Sequence, residues 1–95
     1  MTYEIIFHPG ALREFDKLPK PAQRRVGEII DGLAEEPRPR GIIKLAGLDA
    51  YRVRAGHYRV AYSVKDERLL VLIVKVGHRG GIYKEIETIR QRLKG

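Results

Sequence analysis

The sequence predicts an α+β fold: an N-terminal strand and a helical hairpin, then an antiparallel-rich four-stranded sheet and a C-terminal helix. Three observations predict it. A strand-like run opens the chain, two amphipathic stretches bounded by prolines follow, and three strand-like runs stand close together before a last amphipathic stretch. Because helical and strand-like segments are segregated along the chain, we expect the helices on one side of the sheet and the other side open.

The first half of the chain contains one strand and two helices. Residues 3–7 (YEIIF) are β-branched and aromatic, and His8-Pro9-Gly10 ends the run. Pro9 suits the first turn of a helix, and apolar residues recur at helical spacing over 11–18 until Pro19. A second helix starts near Pro21 and ends before Pro37. Together they predict a helical hairpin.

The second half carries the rest of the sheet. Residues 37–49 are rich in Pro and Gly and predict a basic loop with two or three apolar anchors. Strands are expected over 51–55, 58–65 and 69–78, the last apolar enough for the sheet centre. Two glycines, Gly80 and Gly81, end it, and residues 82–93 show the apolar stripe of an amphipathic helix.

Size and charge narrow the function classes. With 95 residues the chain is expected to form a single domain, residues 1–95. Nineteen Lys and Arg against 12 Asp and Glu give a net charge of +7, which favours a polyanionic partner. Nucleic acid is the first candidate, and an acidic protein fits the same charge. The absence of cysteine and of an apolar run of ~20 residues predicts a cytoplasmic protein without a membrane anchor.

Strand parity predicts a basic surface. Gly56 and His57 suit a two-residue type II′ turn, and this register places Arg54 directly opposite Arg59. Alternation turns the apolar residues of both strands to the core and the cations to the other face. The open face is then expected to collect five cations, a cradle for phosphate: Arg52, Arg54, Arg59, Lys75 and Arg79.

Other chemistry-bearing residues are ambiguous. The spacing of His8, His57 and His78 matches no metal motif. We interpret His8 as a helix-start residue and His57 as a turn residue, whereas His78, where the long strand ends, fits function or structure equally. Tyr83 fits core packing or stacking on an RNA base equally well. Ser63 has no plausible triad partner.

Two segments, KLAGLDAYRVRAGHYRVAYSV and VLIVKVGHRGGIY, resemble the RelE/ParE toxin superfamily, and the resemblance covers nearly the whole chain. RelE-type toxins of type II toxin–antitoxin systems cleave mRNA on the ribosome without a metal or other cofactor, the 2′-hydroxyl attacking the adjacent phosphate. The resemblance therefore implies an endoribonuclease with three partners: a cognate antitoxin, mRNA and the ribosome.

The resemblance also implies the site. Arg52 and Arg54 match the cationic pair on the first hairpin strand, and Arg59, Arg79 and Tyr83 match the other active-site positions. Several RelE members carry lysines at the first two positions, and an arginine, unlike a lysine, effectively cannot lose its proton.

The proton acceptor therefore has to be another group or water, and the candidates are His78, Tyr83 and Lys44. Lys75 is expected to bind RNA. Two other functions fit the same sequence: a ParE-like toxin that inhibits DNA gyrase by protein binding, and a non-catalytic RNA-binding module.

Overall fold

The computed structural model describes residues 2–94, except for the side chains of Ile82 and Tyr83. A 3-10 turn, Asp66–Arg68, precedes the last strand. The helices and strands follow in chain order: β1 Glu4–Phe7, α1 Pro9–Asp16, α2 Lys20–Gly32, β2 Ile43–Lys44, β3 Tyr51–Ala55, β4 Tyr58–Lys65, β5 Leu70–His78, α3 Gly81–Lys84 and α4 Ile86–Lys94.

The sheet has five strands, in the order β1-β5-β4-β3-β2. Strand β1 pairs with β5 in parallel, and the other three pairings are antiparallel. The α+β class is thus confirmed, but the prediction of four strands is one short. The missed strand, β2, lies in the Pro/Gly-rich loop and pairs only Ile43 with Arg52 and Lys44 with Tyr51. Two residues are too few to show a period of two.

The β3–β4 hairpin confirms the predicted register. Gly56 has a φ of +65°, and among the described residues other than glycine only Leu69 has a positive φ. A positive φ at the first central residue alone is the signature of a type II′ turn. The pairs Ala55–Tyr58, Arg54–Arg59 and Arg52–Ala61 follow from it.

One face of the sheet packs against α1 and α2. Ala11 of α1 and Val26 and Ile30 of α2 are buried in one cluster with Val60 and Tyr62 of β4. This is the face to which parity assigns the apolar residues of β3 and β4. The Tyr62 hydroxyl donates to the Pro37 carbonyl at 2.8 Å, so its polar end is satisfied inside the core.

The opposite face is not open, and here the prediction is wrong. Ile89 of α4 is fully buried against Ala61 of β4 and Val74 of β5, together with Leu45 and Leu48 from the loop before β3. The helices therefore lie on both sides of the sheet. The apolar stripe of α4 requires an apolar partner but does not say which face supplies it.

The C-terminal helical segment is divided. The sequence predicts one helix over 82–93, whereas the structure has α3 and α4 separated at Glu85. The sheet has a bulge in β5. Ala61 pairs with Lys75 but Tyr62 pairs with Ile73, so Val74 is left without a partner in the register. Within the described part of the chain, no helix is long and apolar enough to cross a bilayer.

Candidate functional site

The register arranges the predicted cations in two rows across the sheet. One row runs Arg52–Ala61–Lys75 and the next, towards the hairpin turn, runs Arg54–Arg59–Gly77. A Cβ built on Gly77 would meet nothing within 4 Å, so the end of the second row is open. Cross-strand neighbours have Cβ atoms about 5 Å apart, which places Arg54 and Arg59 side by side.

Hydrogen bonds and strand pairing bring three arginines to the hairpin turn. Nη1 of Arg59 donates to the carbonyls of Gly56 and Tyr58 at 3.2 and 3.1 Å. The backbone N–H of Arg79 donates to the His57 carbonyl at 2.7 Å, which ties the end of β5 to the turn. Arg54, opposite Arg59, completes the group. We call this end of the molecule, with Arg54, Arg59 and Arg79, the hairpin tip.

The hairpin tip is strongly positive. Arg54 and Arg79 are exposed, and within the described residues neither forms a salt bridge with a carboxylate. Their charges are therefore available to an external anion. Gly77, at the end of the Arg54–Arg59 row, has no side chain and leaves open space beside the arginines, so a phosphate can approach their guanidinium groups closely.

Lys75 does not join this group, contrary to the prediction of an open face. It is 5% exposed, and its Nζ lies 2.5 Å from Oε2 of Glu14 and 2.5 Å from Oε2 of Glu85. Glu14 lies in α1 and Glu85 between α3 and α4, so strand parity could not reveal either carboxylate. A buried ammonium with two carboxylate partners is not presented to RNA, so Lys75 is left out of the proposed RNA contacts.

Glu14 connects three elements. Its carboxylate accepts hydrogen bonds from Lys75, from both terminal nitrogens of Arg92 on α4 (3.0 and 3.1 Å), and from the backbone N–H of Val76 at 3.1 Å. Burial acts to raise the pKa of Glu14, but the bonds from Arg92 and Lys75 outweigh it and the pKa is lowered. Glu14 therefore fastens α1 and α4 to β5 where β5 extends past β1.

The three histidines have different surroundings. His8 is the N-cap of α1, where its Nδ1 accepts from the Gly10 N–H at 3.0 Å, so the helix-start interpretation is confirmed. Burial, together with Arg92 and Arg13, lowers the pKa of His8. His57 and His78 stack at 6.3 Å, and His78 meets the ring of Tyr58 edge-on at 5.5 Å. Across residues 2–94, no three His, Asp or Glu side chains form a metal-binding group.

Lys44 and Tyr83 are the remaining candidate residues. Lys44 pairs with Tyr51 at the far end of β3, and its Nζ donates to the Leu48 carbonyl at 3.0 Å. Arg54 lies three positions after Tyr51 in β3, about 10 Å along the strand, so Lys44 and the hairpin tip are not brought together. Tyr83 lies in α3, but its side chain is outside the described part of the molecule.

A cleft of about 570 Å³ adjoins the hairpin tip, and it contains a cation that the sequence argument missed. Arg25, on α2, lines this cleft together with Arg54 and Arg79. Arg25 is one of several cations on the polar side of α2. The concentration of positive charge in KPAQRR indicates a basic surface there but does not distinguish Arg24 from Arg25.

The fold, a five-stranded sheet with helices on both faces, is similar to that of RelE toxins among the solved structures. The RelE–RelB complex from the archaeon Pyrococcus horikoshii matches with a TM-score of 0.75 and 41% identity, over 84% of this chain and 98% of that chain.

Sequence comparison identifies the family. A family model described as the ParE toxin of the type II toxin–antitoxin system, parDE, matches residues 5–83. The mRNA interferase toxin RelE of Escherichia coli is 32% identical over 90 residues, covering 90% of this chain and 94% of RelE. Toxin RelG of Mycobacterium tuberculosis is 36% identical over 88 residues, covering 88% of this chain and 99% of RelG. The chain belongs to the RelE/ParE family of type II toxins.

Proposed function

We propose that this protein is an endoribonuclease that cleaves mRNA on the ribosome and is inhibited by a cognate antitoxin. The observation that carries the proposal is the hairpin tip, where Arg54, Arg59 and Arg79 converge and where no carboxylate of the described residues forms a salt bridge with Arg54 or Arg79. A concentration of guanidinium groups suits phosphate, because each presents paired N–H donors to two oxygens. The name of the E. coli relative, mRNA interferase, supports the same reaction.

The reaction needs a positioned phosphate rather than a metal. In the proposed step the ribose 2′-oxygen attacks the adjacent phosphorus, the bond from phosphorus to the 5′-oxygen breaks, and a 2′,3′-cyclic phosphate and a 5′-hydroxyl result. Arg54 and Arg59 hold the scissile phosphate and neutralise charge on its oxygens. Arg79 neutralises the charge that develops on the leaving 5′-oxygen, which takes its proton from water. Arg52 extends the cationic row, and Tyr83 stacks on a base.

The proton of the 2′-hydroxyl needs an acceptor other than arginine, which stays protonated. Of the two candidates whose side chains are described, His78 fits better than Lys44. His78 is exposed and directly precedes Arg79, whereas Lys44 is bonded to Leu48 beyond the other end of β3. We therefore assign the proton transfer to His78, with Tyr83 as the alternative.

The partner follows from charge and from relatives. The Pyrococcus horikoshii structure is a complex of RelE with RelB. A net charge of +7 favours association with an acidic chain, which would compete electrostatically with RNA. An antitoxin bound over the hairpin tip would block access to the phosphate-binding arginines.

The test is to add the purified protein to translating ribosomes and to map mRNA 5′ ends and the chemistry of the 3′ ends. We expect cuts within the translated region that leave 2′,3′-cyclic phosphates, and no cuts when the antitoxin is present in excess. Unbroken mRNA under these conditions would refute the endoribonuclease proposal. RNA binding without cleavage would identify a non-catalytic RNA-binding module.

A second candidate is favoured by the family model, whose description names the ParE toxin. In that case the protein would inhibit DNA gyrase by binding to it. The two candidates are separated by a supercoiling assay with purified gyrase, in which a ParE-like toxin inhibits the enzyme and a RelE-like one leaves it active.

A further inference from the structure

The cleft at the hairpin tip opens where the first turns of α2 meet the β3–β4 turn. Its wall and floor combine three arginines and a histidine with small apolar residues, and no acidic residue lines it. The residues that line it are Pro21, Ala22, Arg25, Arg54, Ala55, Gly56, His57, Tyr58 and Arg79.

Arg25 is seated against the turn by the absence of a side chain at Gly56. A Cβ at this position would lie 3.0 Å from Nε and 3.3 Å from Cδ of Arg25, so the arginine passes directly over the bare Cα. Gly56 also has a φ of +65°, which L-residues with side chains rarely adopt. Glycine therefore serves both the type II′ turn and the approach of Arg25.

The charges around the cleft come from separate elements. Arg25 belongs to α2, Arg54 to β3, and Arg79 follows β5. No salt bridge links any of the three to a carboxylate within residues 2–94. Like charges held around a concave, partly apolar surface strengthen the potential inside it, so an anion in the cleft is attracted by all three.

We infer that this cleft binds a second backbone phosphate of the RNA, next along the strand from the scissile phosphate, and that Arg25 is the residue that binds it. The inference rests on the proposed function, because Arg54 and Arg79 join the cleft to the proposed cleavage site. The continuity of these arginines favours a nucleic-acid strand over an acidic protein. Arg25 touches no reacting atom in this arrangement, so it is a positioning residue that fixes the strand.

Arg25→Gln tests the inference, and Arg24→Gln is its matched control. Both changes remove one positive charge from neighbouring exposed positions of α2, but Arg24 does not line the cleft. The probe is a 2′-O-methyl RNA of about 12 nucleotides, which binds but has no attacking hydroxyl. We expect Arg25→Gln to weaken binding about tenfold, with less than a twofold effect from Arg24→Gln.

The salt dependence of binding counts the phosphate contacts. For single-stranded nucleic acid, losing one contact reduces the slope of log K against log salt by about 0.7. We expect that reduction for Arg25→Gln and not for Arg24→Gln. When the RNA is shortened one nucleotide at a time, wild type should fall to the affinity of Arg25→Gln at the length that removes the phosphate from the cleft. In cleavage assays KM should rise while kcat changes little.

Equal effects of the two variants would overturn the inference, since they would show a general charge effect. Loss of antitoxin affinity with unchanged RNA affinity in Arg25→Gln would overturn it too, by assigning the cleft to the protein partner. Wild type that cleaves mRNA while the two variants behave alike refutes the inference alone. Wild type that leaves mRNA intact refutes the proposed function, whatever the variants do.

Discussion

The pair formed by Arg54 and Arg59 gives a prediction in which the two members have opposite effects on stability. The residues are direct cross-strand partners, and like charges so placed destabilise a sheet. If the charges are spaced like the Cβ atoms of cross-strand neighbours, about 5 Å apart, their repulsion in water is roughly 0.8 kcal/mol. Screening at 0.15 M salt, where the Debye length is about 8 Å, reduces it to roughly 0.4–0.5 kcal/mol. Because Arg54 is exposed, water surrounds its charge and keeps the repulsion this small.

Arg54→Gln should therefore raise the free energy of unfolding by about 0.5 kcal/mol and Tm by about 2–4 °C. Arg59→Gln should instead lower the free energy of unfolding by about 1–2 kcal/mol, because it removes the donor to the carbonyls of Gly56 and Tyr58. Both variants should lose mRNA cleavage by a factor of about 100 or more, the usual cost of removing a group that stabilises transition-state charge.

Thermal melts at 10 mM, 150 mM and 1 M salt measure the repulsion. The stabilisation in Arg54→Gln should shrink from about 0.7 kcal/mol at the lowest salt to about 0.2 kcal/mol at the highest. In the Arg59→Gln background, Arg54→Gln should stabilise little, because the charge that it relieves is gone. A variant Arg54→Gln that is less stable than wild type, or stabilised equally at every salt concentration, would refute the reasoning.

Two further predictions concern the elements that hold α1 in place. His8 has a lowered pKa, so the folded state favours its neutral form, and the free energy of unfolding should fall as pH drops from 7.5 through about 6.5 to 5. His8→Asn keeps an N-cap acceptor and should flatten the pH dependence of the free energy of unfolding, measured in denaturant melts. An unchanged pH dependence would mean that another group causes it. Glu14→Gln should lower the free energy of unfolding by about 2–4 kcal/mol. The exposed control Glu87→Gln should lower it by less than about 0.5 kcal/mol. Equal losses would contradict the anchoring by Glu14.

Local patterns in the sequence predicted the hairpin completely. Gly56 dictates the turn, the turn fixes the register, and the register pairs Arg54 with Arg59 without reference to the rest of the fold. The N-cap role of His8 was also predictable, because Pro9 after it marks the start of a helix. Each of these features depends on residues close together in the chain.

Features that depend on distant residues were not predictable in this way. The burial of Lys75 requires Glu14, 61 residues earlier, and a carboxylate at the break between α3 and α4. Strand alternation could assign Lys75 to a face but could not reveal that α4 covers that face. Arg25 was missed for a similar reason, since helical periodicity identifies a polar side of α2 and does not show which cation meets the hairpin.

The second half of β5 runs from neutralised cations to a hairpin tip that is not neutralised, and this difference leads to a final prediction. Near α4, the cations Lys75 and Arg92 are neutralised by Glu14 and hold the fold together. At the hairpin tip, no salt bridge within residues 2–94 neutralises Arg54 or Arg79. The position of the carboxylates, rather than the net charge, therefore determines which cations are available to RNA. A carboxylate introduced into the cleft should remove that availability without harming the fold.

Ala22→Glu makes this change, because Ala22 lines the cleft and is the third residue of α2. Glutamate is favoured at that helical position, where it complements the positive end of the helix dipole, so stability should be unchanged or raised by about 0.3–1 kcal/mol. The new carboxylate lies among Arg25, Arg54 and Arg79 and should compete with phosphate, lowering RNA affinity at least about tenfold. Gln91→Glu, an equal charge change at an exposed position of α4, should leave RNA affinity within about twofold. Oligonucleotide binding and thermal melts on both variants provide the check. Equal losses of affinity would mean that net charge, and not the arrangement at the hairpin tip, governs RNA binding.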